Sequence, residues 1–173
     1  MPPHDHPPTI LLMGVSGSGK TAIGRQLAGR LGLPFLETDD LHAPANVAKM
    51  RAGTPLTDAD RAPWLHAVAA ELGRATRATG GIVVACSALK RAYRDRLRAA
   101  VPSLRLIHLT AATDLIRRRL EARAGHFMPA ALLDSQLATL EPPGADERPL
   151  VVEVSRPIDE IVEEIVAAIA TGA

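Results

Sequence analysis

Gly14-Val15-Ser16-Gly17-Ser18-Gly19-Lys20-Thr21 is the stretch that decides the fold. It matches G-x-x-x-x-G-K-[ST] at every fixed position, with an apolar run over 9–13 before it and a helical pattern over 20–31 after it. Glycines let consecutive backbone N–H groups turn toward one phosphate. The helix that follows adds the positive end of its dipole. A glycine-rich turn that merely happened to contain Lys-Thr would not need a strand on one side and a helix on the other. Residues 14–21 are therefore expected to cradle the phosphates of a nucleoside triphosphate, with Lys20 on the β- and γ-phosphates and the Thr21 hydroxyl on Mg²⁺.

Outward from this loop, short apolar runs at 9–13, 34–37, 82–86, 104–109 and 150–154 read as strands. Their apolar residues are consecutive rather than alternating, as in strands covered on both faces. Helical patterns occupy 20–31, 62–79, 90–100 and 113–124, and Gly32 marks the end of the first. Ile158, Ile161, Val162, Ile165, Val166 and Ile169 line one face of a final helix. This alternation predicts an α/β domain: a parallel five-stranded sheet flanked by helices, with right-handed crossovers. Two stretches, 39–61 and 123–148, look polar and irregular, with several prolines and glycines. Connections of that length in a compact domain tend to be binding loops or lids.

The 173 residues suit one domain, taken as 9–173, with 1–8 as a disordered N-terminal tail. Hydrophobic residues at 47% and charged ones at 23% indicate a globular chain. A formal net charge of +1 argues against nucleic acid or an anionic membrane as partner. The single cysteine, Cys86, excludes an internal disulfide, suits a reducing cytoplasm, and at a strand end packs as a small hydrophobe. No apolar run in the first nine residues suggests a signal peptide, and no segment reaches the roughly 20 apolar residues of a membrane helix. His4, Asp5 and His6 could ligate a metal, but their proline-flanked terminal setting reads as tail. His66 and His108 sit on apolar patterns and read as structural.

A GTPase would need D-x-x-G and N-K-x-D. No aspartate is followed three residues on by glycine, and none of Lys20, Lys49 or Lys90 is followed two residues on by aspartate. ATP is the expected nucleotide. The second strand runs into Glu37-Thr38-Asp39-Asp40, an acidic cluster at the carboxyl end of a parallel strand, where ligands bind in open α/β sheets. A carboxylate there can take the proton of an attacking hydroxyl or help hold Mg²⁺ through water. Asp39 is the candidate base, whereas Asp40 could equally cap a helix beginning near Leu41.

Several further segments carry a specific resemblance. They are 39–42 (Asp-Asp-Leu-His), 46–50 (Asn-Val-Ala-Lys-Met), 53–65 from Gly53-Thr54-Pro55-Leu56 to Pro63-Trp64-Leu65, 86–90 with Tyr93-Arg94, Gly125-His126-Phe127 and Leu140-Glu141-Pro142-Pro143. Together with the phosphate loop they resemble the gluconate kinase family over about 10–169. One departure is Thr38, where the family usually has glycine, and a slight backbone adjustment is expected there. The resemblance implies an adenylate-kinase/shikimate-kinase-like P-loop fold and transfer from ATP to the 6-hydroxyl of D-gluconate. It also implies gluconate utilisation feeding the pentose phosphate pathway, and usually a homodimer. It names 39–65 a substrate-binding segment and 119–143 a lid.

Gluconate is a polyol with a carboxylate, so His42, Lys49 and Arg61 become candidate substrate ligands once the resemblance is taken into account. Arg119 and Arg123 are the candidate lid arginines, spaced i, i+4 so as to face one way, with Arg117 and Arg118 left to solvent. Trp64 and Leu65 read as the apolar start of a packing helix. Pro157 sits where kinases of this fold hold the adenine ring, and His126 belongs to the lid pattern without an assigned contact.

Overall fold

In a computed structural model the chain is described over residues 7–123 and 132–172. The sheet contains β1 (Thr9–Met13), β2 (Phe35–Glu37), β3 (Ile82–Ala85), β4 (Arg105–Thr110) and β5 (Leu150–Glu153), all parallel, in the order β2-β3-β1-β4-β5. The helices are α1 (Lys20–Leu31), α2 (Pro44–Arg51), α3 (Asp58–Thr79), α4 (Arg91–Ala100), α5 (Thr113–Glu121), α6 (Leu133–Thr139) and α7 (Ile158–Ala170). The chain builds β2 and β3 on one side of β1, then crosses to β4 and β5 on the other. That reversal opens a crevice at the carboxyl end of β1, where residues 14–21 leave the sheet.

The pleat explains why residues 10–13 of β1 are all apolar. Leu11 and Met13 pack against Trp64, Leu65, Val68 and Leu72 of α3 and Leu97 of α4. Ile10 and Leu12 face Ile23 and Leu27 of α1 and Ile161 and Ile165 of α7. All four β1 side chains are fully buried. The five strands and the α1 bounds follow the sequence expectation to within a residue at each end, and Gly32 ends α1 in the left-handed conformation at φ 64°.

The stretch 39–61 differs from expectation. It is ordered as a short 3-10 turn over Thr38–Leu41, then α2, then the first turn of α3. The 3-10 turn leads into α2, which is capped at Ala43, so Asp40 caps no α-helix. α3 starts at Asp58 because Thr57 and Asp60 form a reciprocal capping box, with Pro63 left inside the helix. The buried Asn46 amide donates to the Asp60 carbonyl at 2.9 Å and ties α2 to that first turn. His66 is exposed, not structural, whereas His108 is buried as expected.

Of the expected tail, Pro7 and Pro8 lie against Gly80 and Gly81, while His4, Asp5 and His6 lie outside the described residues. So do Gly125, His126, Phe127 and Pro129 of the expected lid. No helix among the described residues is long and apolar enough to cross a membrane.

Candidate active site

The phosphate loop is shaped by space as much as by torsion. Gly14 has φ 148°, and a Cβ there would meet the Leu109 carbonyl at 2.8 Å. Gly17 has φ 85°, and a Cβ would meet Leu120 and Ile116 of α5 at 2.9 and 3.0 Å. Any side chain at either position would push into the cradle wall or strain the turn. Lys20 Nζ donates to the carbonyls of Gly14 and Val15, both at 3.0 Å, so the cation lies folded over the loop. Burial lowers the Lys20 pKa, and the nearby carboxylates of Asp39 and Glu37 pull it back up.

The Thr21 hydroxyl donates to Glu37 Oε2, and burial raises the Glu37 pKa despite that bond. A hydroxyl and a carboxylate side by side at the mouth of a phosphate cradle are the hard oxygen donors that Mg²⁺ prefers. It takes few protein ligands because water and phosphate complete its shell. Among the described residues no cluster of three or more His, Cys, Asp or Glu forms a metal cage.

Beside Lys20 opens a cleft whose walls come from separate parts of the chain. Asp39 and His42 enter from the turn after β2, Arg61 and Trp64 from α3, Ser87 from the loop after β3, and Gln136 from α6. Trp64 organises the first of these. Its Nε1–H donates to the Thr38 carbonyl at 2.8 Å, and its indole stacks on the His42 ring at 4.4 Å between centroids, 10° from parallel. Thr38 donates its hydroxyl to the Ala85 carbonyl at 2.8 Å and is fully buried. The side chain in place of the family's glycine is thus absorbed by a bond to the end of β3. Desolvation, with the Arg61 charge adding to it, lowers the His42 pKa to about 4, so the imidazole is neutral at pH 7.

Arg61 is held from behind. Its Nη1 lies 3.5 Å from Tyr93 Oη and 3.9 Å from Asp58, and Tyr93 Oη and Lys90 Nζ both donate to Asp58. These bonds hold the Asp58 carboxyl below its usual range. The loop carrying Ser87 is braced by Arg94, which is 1% exposed. Arg94 donates to the Ala88 and Leu89 carbonyls and makes two bonds, at 2.7 and 2.8 Å, to the buried Glu147. Cys86 is buried beneath the loop, where desolvation pushes its thiol up to about 11. It packs as the small hydrophobe expected of it.

Of the residues singled out from sequence, Lys20, Asp39, His42 and Arg61 share this cleft. Lys49 does not line it: its ammonium pairs with Asp60 at 2.8 Å on an open face. Arg119 donates to the Val154 carbonyl at 2.6 Å, beside the start of α7, where Pro157 stands exposed as the N-cap. α5 ends at Glu121, so Arg123 lies past the helix and the i, i+4 spacing does not align it with Arg119. Arg123 is exposed, yet its charge still lowers the Lys20 pKa. Arg117 stays on the solvent-exposed face, where it pairs with Asp134 at 2.9 Å. The residues that sequence reading undervalued are Glu37, Trp64, Tyr93, Arg94 and Gln136. Trp64 and Glu37 were visible as types, but a tryptophan in an apolar stripe reads as core.

Known proteins with this geometry are similar in sequence and in fold. The family described as "AAA domain" matches residues 10–143. A gluconokinase from Gluconobacter oxydans (strain 621H) is 49% identical over 160 residues, covering 92% of this chain and 90% of that protein. The crystal structure of a gluconokinase from Sinorhizobium meliloti 1021 is 45% identical, superposes with a TM-score of 0.86, and covers 98% of this chain and 95% of its own. A shikimate kinase from Acinetobacter baumannii, at 18% identity and TM-score 0.66, shares the fold alone. With its phosphate loop, parallel sheet and acceptor cleft in place, the chain belongs to the gluconokinase family of P-loop kinases.

Proposed function

We propose that the chain transfers the γ-phosphoryl group of ATP to the 6-hydroxyl of D-gluconate, giving 6-phospho-D-gluconate and ADP. One observation carries this reading. A single cleft joins Lys20 of the phosphate cradle to the Asp39 carboxylate and the Arg61 guanidinium. A polyol acid needs all three kinds of group: a cation for its carboxylate, a base for its hydroxyl, and a neighbour holding the donor.

In this mechanism Asp39 orients the 6-hydroxyl and takes its proton as O6 forms a bond to the γ-phosphorus. The bond from that phosphorus to the β–γ bridging oxygen breaks, and ADP leaves. Lys20 neutralises charge on the phosphate oxygens. Arg61 grips the gluconate carboxylate, with neutral His42 stacked on Trp64 as a hydrogen-bonding wall. Thr21, with Glu37 through water, would hold Mg²⁺, which supplies charge neutralisation on the β- and γ-oxygens. Arg123 acts as the lid arginine over the transferring group, and Arg119 and Pro157 border the adenine site.

Lys49 serves substrate binding only by steering the anion from the rim. Residues 39–65 form the substrate-binding segment, and 119–143 act as a lid. The protein works as a cytoplasmic homodimer, an assignment supported by the family resemblance and by the single reduced-type thiol.

A panel of sugar and hydroxy acids with ATP, followed by ADP release, tests the reading. Turnover on D-gluconate, with shikimate unused, supports it. Hydrolysis of ATP independent of any acid would favour a nucleotide-binding regulator, and use of shikimate a different kinase of the same fold.

A further inference from the structure

Ser87 is the one residue of 81–89 that keeps exposure. It follows β3, which lies between β2 and β1 in the sheet, so it stands between Asp39, beyond the end of β2, and the phosphate loop, beyond the end of β1. Cys86 and Ala88 on either side of it are sealed, so the surface that Ser87 shows is its share of the cleft wall. Its hydroxyl bonds to no other group among the described residues, where the sealed side-chain atoms without a partner are Ser18 Oγ and His42 Nδ1 alone. The Ser87 Oγ is therefore both uncommitted and open to a molecule in the cleft.

The main chain beneath this hydroxyl is fixed from two directions. The Gly14 N–H donates to the Ser87 carbonyl at 3.3 Å, and Arg94 Nη1 donates to the carbonyls of Ala88 and Leu89 at 3.0 and 3.2 Å. Ala88 has φ 45°, and Arg148, next to Glu147, has φ 48°. These are the non-glycine residues with left-handed backbone among those described, and they flank the two ends of the Arg94–Glu147 pair. Such backbone is unfavourable for a residue with a side chain, persists where the surrounding bonds impose it, and clusters at binding sites. Here a buried guanidinium imposes it, and the residue displayed by the turn is Ser87.

We propose that Ser87 is a specificity-determining residue. Its hydroxyl bonds a hydroxyl in the half of the gluconate chain next to the transferred phosphoryl group, at C4 or C5. The assignment rests on the gluconate reading above and adds one contact to it. Asp39 and Arg61 address the reacting hydroxyl and the carboxylate. The hydroxyls between them call for neutral groups that both donate and accept, as a serine does. Lys20 and main-chain N–H groups serve the phosphate oxygens, which leaves the neutral hydroxyl to the acceptor. A site that bonds a substrate hydroxyl penalises the analogue lacking it.

Ser87→Ala deletes the hydroxyl and leaves the bonds to the Ala88 and Leu89 carbonyls in place, so the thermal midpoint should hold. The KM for gluconate should rise about three- to tenfold, the scale of one hydrogen bond between neutral groups, with the KM for ATP moving less than about twofold. Both enzymes are then compared across gluconates deoxygenated singly at C2, C3, C4 and C5. The C4 or the C5 compound should lose about three- to tenfold in kcat/KM with the native enzyme and almost nothing further with Ser87→Ala. A serine that only packs the loop would leave every penalty the same in the two enzymes, and that result would overturn the assignment. So would an ATP KM that rises while the gluconate KM holds, which would give the hydroxyl to the phosphates. A native enzyme that turns over no gluconate would overturn the function reading and this contact with it, a result seen before any variant is compared.

Discussion

The donor and acceptor halves of the site are built on opposite plans. In the reading proposed above, the donor half is eight consecutive residues, 14–21, whose glycines let the main chain turn its N–H groups toward phosphate. The acceptor half is assembled from side chains on four separate elements: Asp39 and His42, Arg61 and Trp64, Ser87, and Gln136. Backbone sites are fixed once the local fold forms. Side-chain sites depend on supports that lie elsewhere, here the Tyr93–Asp58 bonds behind Arg61 and the Arg94–Glu147 pair under the Ser87 loop. Perturbations should therefore spread differently in the two halves.

The largest expected effect is chemical. Asp39→Asn should lower kcat by ~10²–10⁴-fold, the range for a general base, while ATP binding changes little. Single-turnover rates beside nucleotide titrations check this, and near-normal turnover would remove Asp39 as base. Next comes the hidden support. Arg94→Ala leaves the buried Glu147 carboxylate with only the Gly144 N–H and the longer contacts to Arg98 at 3.8 Å and Arg91 at 4.0 Å, and should cost about 3 kcal/mol of stability by denaturant unfolding. Replacing both partners with apolar residues should recover much of that loss, which would show that the charge, not the space, was the problem.

What was readable in the sequence follows the same division. The phosphate loop, the five strands and the buried β1 were legible because each rests on a contiguous pattern. The acceptor half was legible only in part: Asp39, His42 and Arg61 were read correctly into the cleft, whereas the roles of Trp64 and Gln136 were not. Lys49 reads as a ligand by type, whereas in the structure its ammonium pairs with Asp60, beside the capping box of α3 and outside the cleft lining. The Thr57-x-x-Asp60 signal for that box was present, but the helical pattern was read only from residue 62. Arg119 and Arg123 looked aligned only while α5 was taken to run past Glu121. Gln136 carries no local pattern at all; its meaning comes from the Ser16 amide it meets across the fold.

Smaller changes sharpen the contrast. Arg61→Met should raise the gluconate KM by roughly 10–100-fold, as expected for loss of a charged contact, with the ATP KM nearly constant; steady-state kinetics in both substrates reads the split. Trp64→Phe keeps a ring against His42 and loses the bond to the Thr38 carbonyl, so it should cost about 1–2 kcal/mol in stability, measured by urea unfolding.

A pH dependence probes the same wall of the cleft. The folded-state pKa of His42, about 4, lies below the ordinary value of 6.5, so the unfolded chain binds more protons between those limits. The resulting stability is fully present above pH 6.5 and is lost as the pH falls toward 4. In His42→Asn the thermal midpoint should fall less over that window than in the native protein. A native and a variant curve with the same slope would show that His42 titrates normally.

The position at which the phosphoryl group lands distinguishes this kinase from one acting at any other hydroxyl. Incubating the protein with ATP and D-gluconate and recording phosphorus–proton correlated NMR of the product measures this directly. A single phosphoester coupled to the two protons of the C6 methylene is the predicted result. Coupling to a methine proton, or inorganic phosphate alone, would contradict the arrangement of Asp39, Arg61 and Lys20 proposed for the cleft.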